Sequence, residues 1–218
     1  MDKVVLNHNH PKYLQKYAFA GENKFNGAYY YSKEICKYFV PKIKTDRSWI
    51  TINVKGMGMN HSIVFIHNNL HPENYNHLMR YGDMILVCGI EETMPKVKHL
   101  GTPITLPLSV DVPYVEQFKT EKSEEVAFVG RPAKSLGYNF PPNTKFLMNM
   151  PREELLREAA KFENVYAVGR AAIECKILGC NILPYDKRFP DPSRWEILDS
   201  REAAKNLQKK IDKIDKRQ

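Results

Sequence analysis

The sequence predicts an α/β protein made of two small domains, each with a mostly parallel sheet. In both halves, short apolar runs typical of buried strands alternate with segments of helical spacing. A charged stretch without apolar residues, 119–125 (KTEKSEE), separates the halves and is predicted to be the linker. A chain of 218 residues suits one large domain or two small ones. The three observations together favour two domains.

In the N-terminal half, the strand predictions rest on apolar and β-branched runs such as SWITINV (48–54) and MILVC (84–88). The predicted strands are residues 3–6, 48–54, 63–66, 84–88 and 104–108. The predicted helices are residues 32–43, 71–81 and 90–100. Ser32 can cap the first helix, and Pro41 should end it near Val40.

In the C-terminal half, PREELLREAAKF (151–162) carries the clearest helix signal, with proline in the first turn and acidic residues after it. The predicted helices are residues 151–162, 170–178 and 200–214, the last of them amphipathic. The predicted strands are residues 126–129, 145–148, 165–168 and 181–183. The expected organisation is a first domain over 1–118, a second over 119–199, and a helix over 200–218 that packs across their junction.

The composition indicates a basic protein without a membrane span. The formal net charge is +8 and the pI is about 9.2, which favours anionic partners, nucleic acid among them. Much of the excess lies in the tail over 205–217, where a solvated helix face is the alternative explanation. No run of 18 apolar residues and no leader segment is found, and the four cysteines are scattered. We therefore expect a cytoplasmic protein with reduced thiols and no metal site.

Several catalytic motifs are absent: the sequence contains no GxxxxGK[ST], GxGxxG, HExxH or GxSxG. The informative segment is VYAVGRAAIECKILGCNILPYD (165–186), which predicts strand, turn, helix and strand. The first turn of that helix would present unpaired N–H groups to a pyrophosphate, with Gly169 and Arg170 beside it. Glu174, one turn further, could accept hydrogen bonds from a ribose diol. The alternative is that Gly169 is only a turn glycine and Glu174 a surface residue.

The order of motifs in residues 104–186 resembles the GT-B glycosyltransferases, which use nucleotide-sugar donors. PLSVD (107–111) matches the segment that closes the acceptor domain of that family, and VGR (129–131) matches the strand end that opens the donor domain. ECKILGCNI (174–182) matches the family's glutamate-containing helix end. The resemblance implies two Rossmann-like domains with an interdomain cleft between them.

The resemblance also implies site residues. Arg131 and Lys134 would contact the donor diphosphate, and Glu174 the ribose. The substrate would be a nucleotide-diphosphate sugar, with UDP favoured, and the acceptor a hydroxyl group; no cofactor is implied. Retaining members often carry a glutamate eight residues before the ribose-binding one, but position 166 is tyrosine here. Retention is therefore not implied. The chain is also short for the family, whose members usually carry two larger domains.

The first domain would have to supply the acceptor contacts and any catalytic base. His8, His10 and His67 follow predicted strands, where open α/β sheets bind ligands, and a histidine there could deprotonate a hydroxyl. Asp111, near the predicted hinge, is a further candidate. The alternative for each histidine is a loop residue without a catalytic role. The tyrosine run over 29–31 could stack on sugars or bases, although core packing is its commoner use.

Two other function classes remain open at this point. The protein could bind a nucleotide without turning it over, which the tyrosine at position 166 favours. It could also bind nucleic acid, as a DNA-modifying glycosyltransferase for example, which the positive charge favours. No helix-turn-helix, zinc-finger or RNA-binding signature accompanies that charge.

Overall fold

The computed structural model describes residues 4–6, 27–51, 60–66, 76, 78–189, 191–194 and 196–216. The chain divides into two compact units, each with its own sheet. The first unit holds residues 4–6, 200–216 and the described residues within 28–108, and the second holds Gly27 and the described residues within 109–199. Each sheet is parallel or mainly parallel, with helices in the connections between strands. The predicted α/β class is confirmed, and both units are Rossmann-like in general kind.

The first unit is built on a five-stranded sheet whose strands follow one another in chain order. The strands are β1 (Val4–Leu6), β2 (Ser48–Thr51), β3 (Ser62–Ile66), β4 (Met84–Cys88) and β5 (Thr102–Thr105). β1 is antiparallel to β2, and the other three pairs are parallel. Every residue of β3 and β4 is buried. Strands covered on both faces need no polar alternation, which explains their continuous apolar runs.

The helices of the first unit differ in their bounds from the predicted ones. The first, α1 (Gly27–Glu34), begins earlier than expected and continues as a π-helix over Ile35–Phe39. It ends before Pro41, as predicted. Between β4 and β5 lie a 3-10 turn (Glu91–Thr93) and the short helix α2 (Met94–Val97). Of the helix predicted over 71–81, only residues 76 and 78–81 are described, and 76 and 78–80 form a 3-10 turn.

The aromatic core of the first unit contains Tyr31, one residue of the tyrosine run over 29–31. Tyr31 is 2% exposed, and its ring lies edge-on to Phe65 at 6.0 Å between centroids. Phe39 and Trp49 contact the same Phe65 ring. Tyr31 is therefore a core residue rather than a surface for stacking a ligand.

The second unit contains a four-stranded parallel sheet in the order β7-β6-β8-β9. Its strands are β6 (Glu124–Val129), β7 (Lys145–Leu147), β8 (Phe162–Tyr166) and β9 (Asn181–Leu183), near the predicted positions. The helix α4 (Arg152–Ala159) joins β7 to β8, and α5 (Arg170–Ile177) joins β8 to β9. A short helix before β6, α3 (Val112–Glu116), has too few residues to show periodicity and was not predicted.

The strand order of the second sheet creates a reversal point. From β6 the chain moves outward to β7, then returns past β6 to β8. The connections that leave β6 and β8 therefore diverge at the carboxyl ends of these two strands, the position at which open α/β sheets bind ligands. The connection from β6 to β7 carries only a 3-10 turn (Pro132–Lys134) and no α-helix.

The last helix, α6 (Ser200–Asp215), belongs to the first unit. Ser200 Oγ donates to Glu34 Oε2 at 2.9 Å, and Arg201 Nη2 donates to the Tyr38 hydroxyl at 3.2 Å. The predicted apolar stripe is buried at Ala203, Ala204, Leu207 and Ile211. That α6 packs across a junction stays a prediction.

The division between the units falls between Leu108 and Ser109, ten residues before the predicted linker. Residues just after this point bond within the second unit. Val110 pairs with Asp199 in an isolated bridge, and the Val112 N–H donates to Asp199 Oδ2 at 3.2 Å. The charged stretch of residues 119–125 instead runs into β6, which begins at Glu124.

The cysteines and the helices bear on two predictions made from composition, reduced thiols and the absence of a membrane span. All four cysteines are free thiols, and three of them are buried. Among the described helices, none has the length and apolar character required to cross a bilayer.

Candidate functional site

The carboxyl edge of the second sheet gathers most of the residues that the sequence predicted for ligand binding. Arg131 comes two residues after β6, and Lys134 ends the 3-10 turn that follows. Gly169 comes three residues after β8 and is the N-cap of α5. Because β6 and β8 are parallel neighbours at the reversal point, these residues lie at the edge where open α/β sheets bind ligands.

The start of α5 has a backbone that requires glycine. Gly169 has φ 64° and ψ −138°, a combination that side-chain-bearing residues rarely adopt. A Cβ built at this position would meet no atom within 4 Å, so the space beside it is open. No side chain caps this helix end and no acidic residue lies in its first turn. The first N–H groups of the helix therefore face an anion-compatible position.

A group of cations lies at the same edge. Lys134 interacts electrostatically with Arg131 and Arg188, and with one carboxylate, Asp186. Its Nζ lies 5.0 Å from the centre of the Phe189 ring. Within the described ranges, neither Arg131 nor Lys134 forms an ion pair or a side-chain hydrogen bond. The cluster thus holds three cations and one carboxylate, an excess of positive charge.

Arg188 is held in place by Asp186. Its Nε and Nη2 donate to the two carboxylate oxygens at 2.9 and 2.8 Å, and its backbone N–H donates to Oδ1 at 3.1 Å. The Asp186 side chain is fully buried, whereas that of Arg188 is 59% exposed. The hydrogen bond from Arg188 holds the pKa of Asp186 below its usual range. A fixed guanidinium therefore projects from a buried, charged anchor.

The environment of Lys134 makes its charge responsive to a ligand. Burial, and then repulsion from Arg131, lower the pKa of Lys134 to about 8, although Asp186 opposes the change. An anion placed beside the ammonium group would favour its charged form. Lys134 is therefore a cation that an anionic ligand would stabilise in its protonated state.

Glu174 is the centre of a buried ion network. Arg152 Nη2 lies 2.7 Å and Arg170 Nε 2.9 Å from the same oxygen, Oε1. Arg170 Nη1 also donates to the Ser109 carbonyl at 3.1 Å. All three charged residues are buried, so Glu174 is not the surface residue of the alternative interpretation. The roles of Arg170 at the diphosphate and of Glu174 at the ribose stay predictions, and both groups already have protein partners.

Six aromatic rings form a cluster on the face of the second sheet that bears Phe128. The rings contact one another at centroid distances between 5.1 and 6.5 Å and belong to Phe128, Tyr138, Phe140, Phe146, Tyr166 and Tyr185. Tyr166, which stands eight residues before Glu174, packs here against Phe140 at 5.1 Å. Burial raises the pKa of the Tyr185 phenol, which supports a packing role for this ring.

The predicted catalytic residues are only partly within the described chain. His8, His10 and His67 lie outside the described residues. Asp111 is buried and immediately precedes α3, where its carbonyl accepts a hydrogen bond from the Val115 N–H at 3.1 Å. Its assignment as a base stays a prediction. No cluster of metal-ligating side chains occurs in the part of the chain that was described.

Sequence reasoning missed Asp186 and Arg188. A signal was available, because only Pro184 separates YDKRF (185–189) from the predicted strand over 181–183, which indicates a position at the carboxyl edge. What the sequence did not contain was the pairing between the two residues, which makes Arg188 a fixed cation.

Comparison with known proteins adds no relative. No family model matches the sequence, and no curated protein or solved structure is significantly similar to it.

Proposed function

We propose that the protein is a glycosyltransferase that moves a sugar from a nucleotide-diphosphate donor to a hydroxyl acceptor. The donor would bind at the carboxyl edge of the second sheet. One observation carries the proposal: Arg131 and Lys134 follow β6, while the glycine-led start of α5 follows the neighbouring β8, at the point where the strand order reverses.

The chemistry of sugar transfer fits this charge distribution. When the glycosidic bond to the donor breaks, negative charge develops on the leaving diphosphate, and fixed cations stabilise it. Arg131, Lys134 and the N–H groups after Gly169 would hold that diphosphate. Glu174 would contact the ribose through Oε2, since Oε1 already accepts from two guanidinium groups. We assign Arg170 to holding Glu174 rather than to the diphosphate.

For the acceptor side of the reaction, the proposal names only candidates for the catalytic base. A base from the first unit, His8, His10 or His67, or else Asp111, would deprotonate the acceptor hydroxyl in an inverting reaction. The arrangement of two GT-B-like domains around a cleft, the preference for UDP and the cytoplasmic location are parts of the same proposal. The scheme requires no metal ion.

Calorimetric titration with UDP, GDP, CDP, ADP and their common sugar conjugates tests the donor site. We expect a preference for one nucleoside diphosphate and weaker binding in Arg131→Gln. Arg157→Gln is the matched control, because Arg157 is an exposed arginine of the same unit with its side chain 61% exposed. Failure of all these nucleotides to bind would refute the proposal.

Nucleotide binding without turnover is the second candidate. The observation that favours it is Tyr166, whose ring packs in the aromatic cluster. Retaining members of the resembled family often have a glutamate that faces the sugar at this position. Product analysis after long incubation with labelled donor sugars separates the two functions. Released or transferred sugar supports the enzyme, and intact donor at saturating binding supports the non-catalytic protein.

The nucleic-acid alternative concerns a different part of the chain. Residues 109–199 contain 13 Lys and Arg against 14 Asp and Glu, so the net charge of +8 comes from the rest of the sequence. A titration with duplex DNA should show an affinity that falls steeply with salt if this alternative holds. Absence of binding at low salt would dismiss it.

A further inference from the structure

The cation cluster of the second unit is not a consequence of general basicity. Basic and acidic residues are nearly equal in number over 109–199. Even so, Arg131, Lys134 and Arg188 share one edge of the sheet with Asp186 as the carboxylate among them. Asp186 is already bound to Arg188 through both oxygens. Among the described residues, Arg131 and Lys134 form no ion pair, and Asp186 is the one carboxylate that acts on Lys134, so the cluster keeps an excess of positive charge.

We infer that Arg188, fixed by Asp186, joins Arg131 and Lys134 to form a site for a diphosphate group, with Asp186 as the positioning residue. The inference deepens the proposed function, on which it rests for the origin of the diphosphate. It adds two residues, Asp186 and Arg188, that the motif resemblance does not supply.

The geometry of Arg188 suits this role. Asp186 binds the side of the guanidinium that carries Nε and Nη2, and the Tyr138 hydroxyl lies 3.4 Å from Nη2. Nη1 makes no hydrogen bond with the described residues, so that side remains available to a ligand. A guanidinium fixed by a bidentate pair loses little conformational entropy on binding, and its planar donors match phosphate oxygens.

A compact ligand fits better than a long polyanion. The three cations come from two short segments, the turn after β6 and the loop after β9. A nucleic-acid backbone would need a basic track that extends further, and the charge balance of residues 109–199 provides none. Two adjacent phosphate groups match a cluster of this size and charge.

Titration of the full chain with inorganic pyrophosphate tests the site without a nucleoside or sugar. We expect Arg188→Gln and Arg131→Gln each to weaken binding by about tenfold, as for the loss of one charge-assisted hydrogen bond. Arg157→Gln should leave the affinity unchanged. Arg131 is exposed, so Arg131→Gln should leave the fold intact. Arg188→Gln removes the partner of the buried Asp186 carboxylate, so circular dichroism and thermal unfolding check that this variant is folded, and Arg131→Gln keeps the test decisive if it is not.

Asp186→Asn tests the positioning role. The variant keeps the charge of Arg188 but removes the carboxylate that fixes it, so pyrophosphate affinity should fall. Asp186 also opposes the lowering of the Lys134 pKa. The pH at which affinity is half lost should therefore move downward in Asp186→Asn, a change that a purely structural role would not produce.

The outcomes separate this inference from the proposed function. Pyrophosphate binding that Arg188→Gln weakens, without a preference for any nucleoside diphosphate, supports the site and counts against the glycosyltransferase. Nucleoside diphosphate binding that Arg188→Gln leaves unchanged supports the glycosyltransferase and overturns the site. The site is also overturned if the wild type does not bind pyrophosphate, or if a single-stranded oligonucleotide binds there more tightly than pyrophosphate.

Discussion

Arg170 and Glu174, one turn apart on α5, form a buried ion pair with 2.9 Å between Nε and Oε1. Arg152 of α4 binds the same carboxylate oxygen at 2.7 Å, so one carboxylate serves two guanidinium groups. The network ties the start of α4 to α5 and, through the Ser109 carbonyl, to the beginning of the second unit. Glu174 is therefore part of the framework that holds the candidate site.

We predict that Glu174→Ala destabilises the protein. It would leave two buried guanidinium groups without their carboxylate, and breaking a buried ion pair from one side costs about 3–5 kcal/mol. The measurement is the free energy of unfolding from a urea titration. Glu153→Ala is the control, because its side chain is 59% exposed and its pair with Arg157 is worth at most about 1 kcal/mol. Equal losses in the two variants would contradict the buried network.

Gly169→Ala should destabilise through the backbone alone. A Cβ at this position meets no atom within 4 Å, so the cost is that of holding alanine at φ 64°, about 1–3 kcal/mol. Gly82→Ala is the matched control, since Gly82 is equally uncrowded and lacks the positive φ. Thermal and urea unfolding measure both variants. A Gly169→Ala protein as stable as Gly82→Ala would show that the start of α5 does not need glycine.

The sequence predicted the second unit better than the site within it. Strands such as VAFV (126–129) and the helix PREELLREAAKF (151–162) have local signals strong enough to fix their positions. The burial of Glu174 could not be predicted, because it depends on Arg152, 22 residues earlier in the chain. The pairing of Arg188 with Asp186 is local, but its place beside Lys134 depends on the fold. Periodicity identifies elements, whereas the partner of a charged side chain is decided by tertiary packing.

Pyrophosphate affinity should depend on the charge of Lys134. Its pKa is lowered to about 8, so the ammonium form, and with it the affinity, should be lost as the pH rises through that value. Lys134→Arg keeps the positive charge at every accessible pH and should remove this component of the pH profile. Comparing the two proteins by calorimetry cancels the titration of the ligand itself. If pyrophosphate affinity changes with pH in the same way in the wild type and in Lys134→Arg, Lys134 does not face the anion.

In the first unit, His61 links two carboxylates at the amino edge of the sheet. Nδ1 lies 2.5 Å from Asp83 Oδ2, and Nε2 lies 2.9 Å from Asp46 Oδ1. Arg47 Nη1, fully buried, binds the other Asp83 oxygen at 2.9 Å. The hydrogen bond to Asp83, then that to Asp46, raises the pKa of His61 above its usual 6.5, against burial and the Arg47 charge. The imidazolium form is thus favoured in the folded state.

A raised folded-state pKa means that the unfolded chain releases its proton first as the pH increases. The His61 contribution to stability is therefore fully present below about pH 6.5 and is lost as the pH rises through the folded-state pKa. His61 has φ 53°, a conformation that asparagine tolerates, so His61→Asn removes the titration with little backbone strain. We expect the free energy of unfolding to fall with rising pH above 6.5 more steeply in the wild type than in His61→Asn. His99→Asn, at an exposed turn, is the control and should show the wild-type dependence of the free energy of unfolding on pH. Identical slopes of this free energy against pH in all three proteins would contradict a contribution from His61.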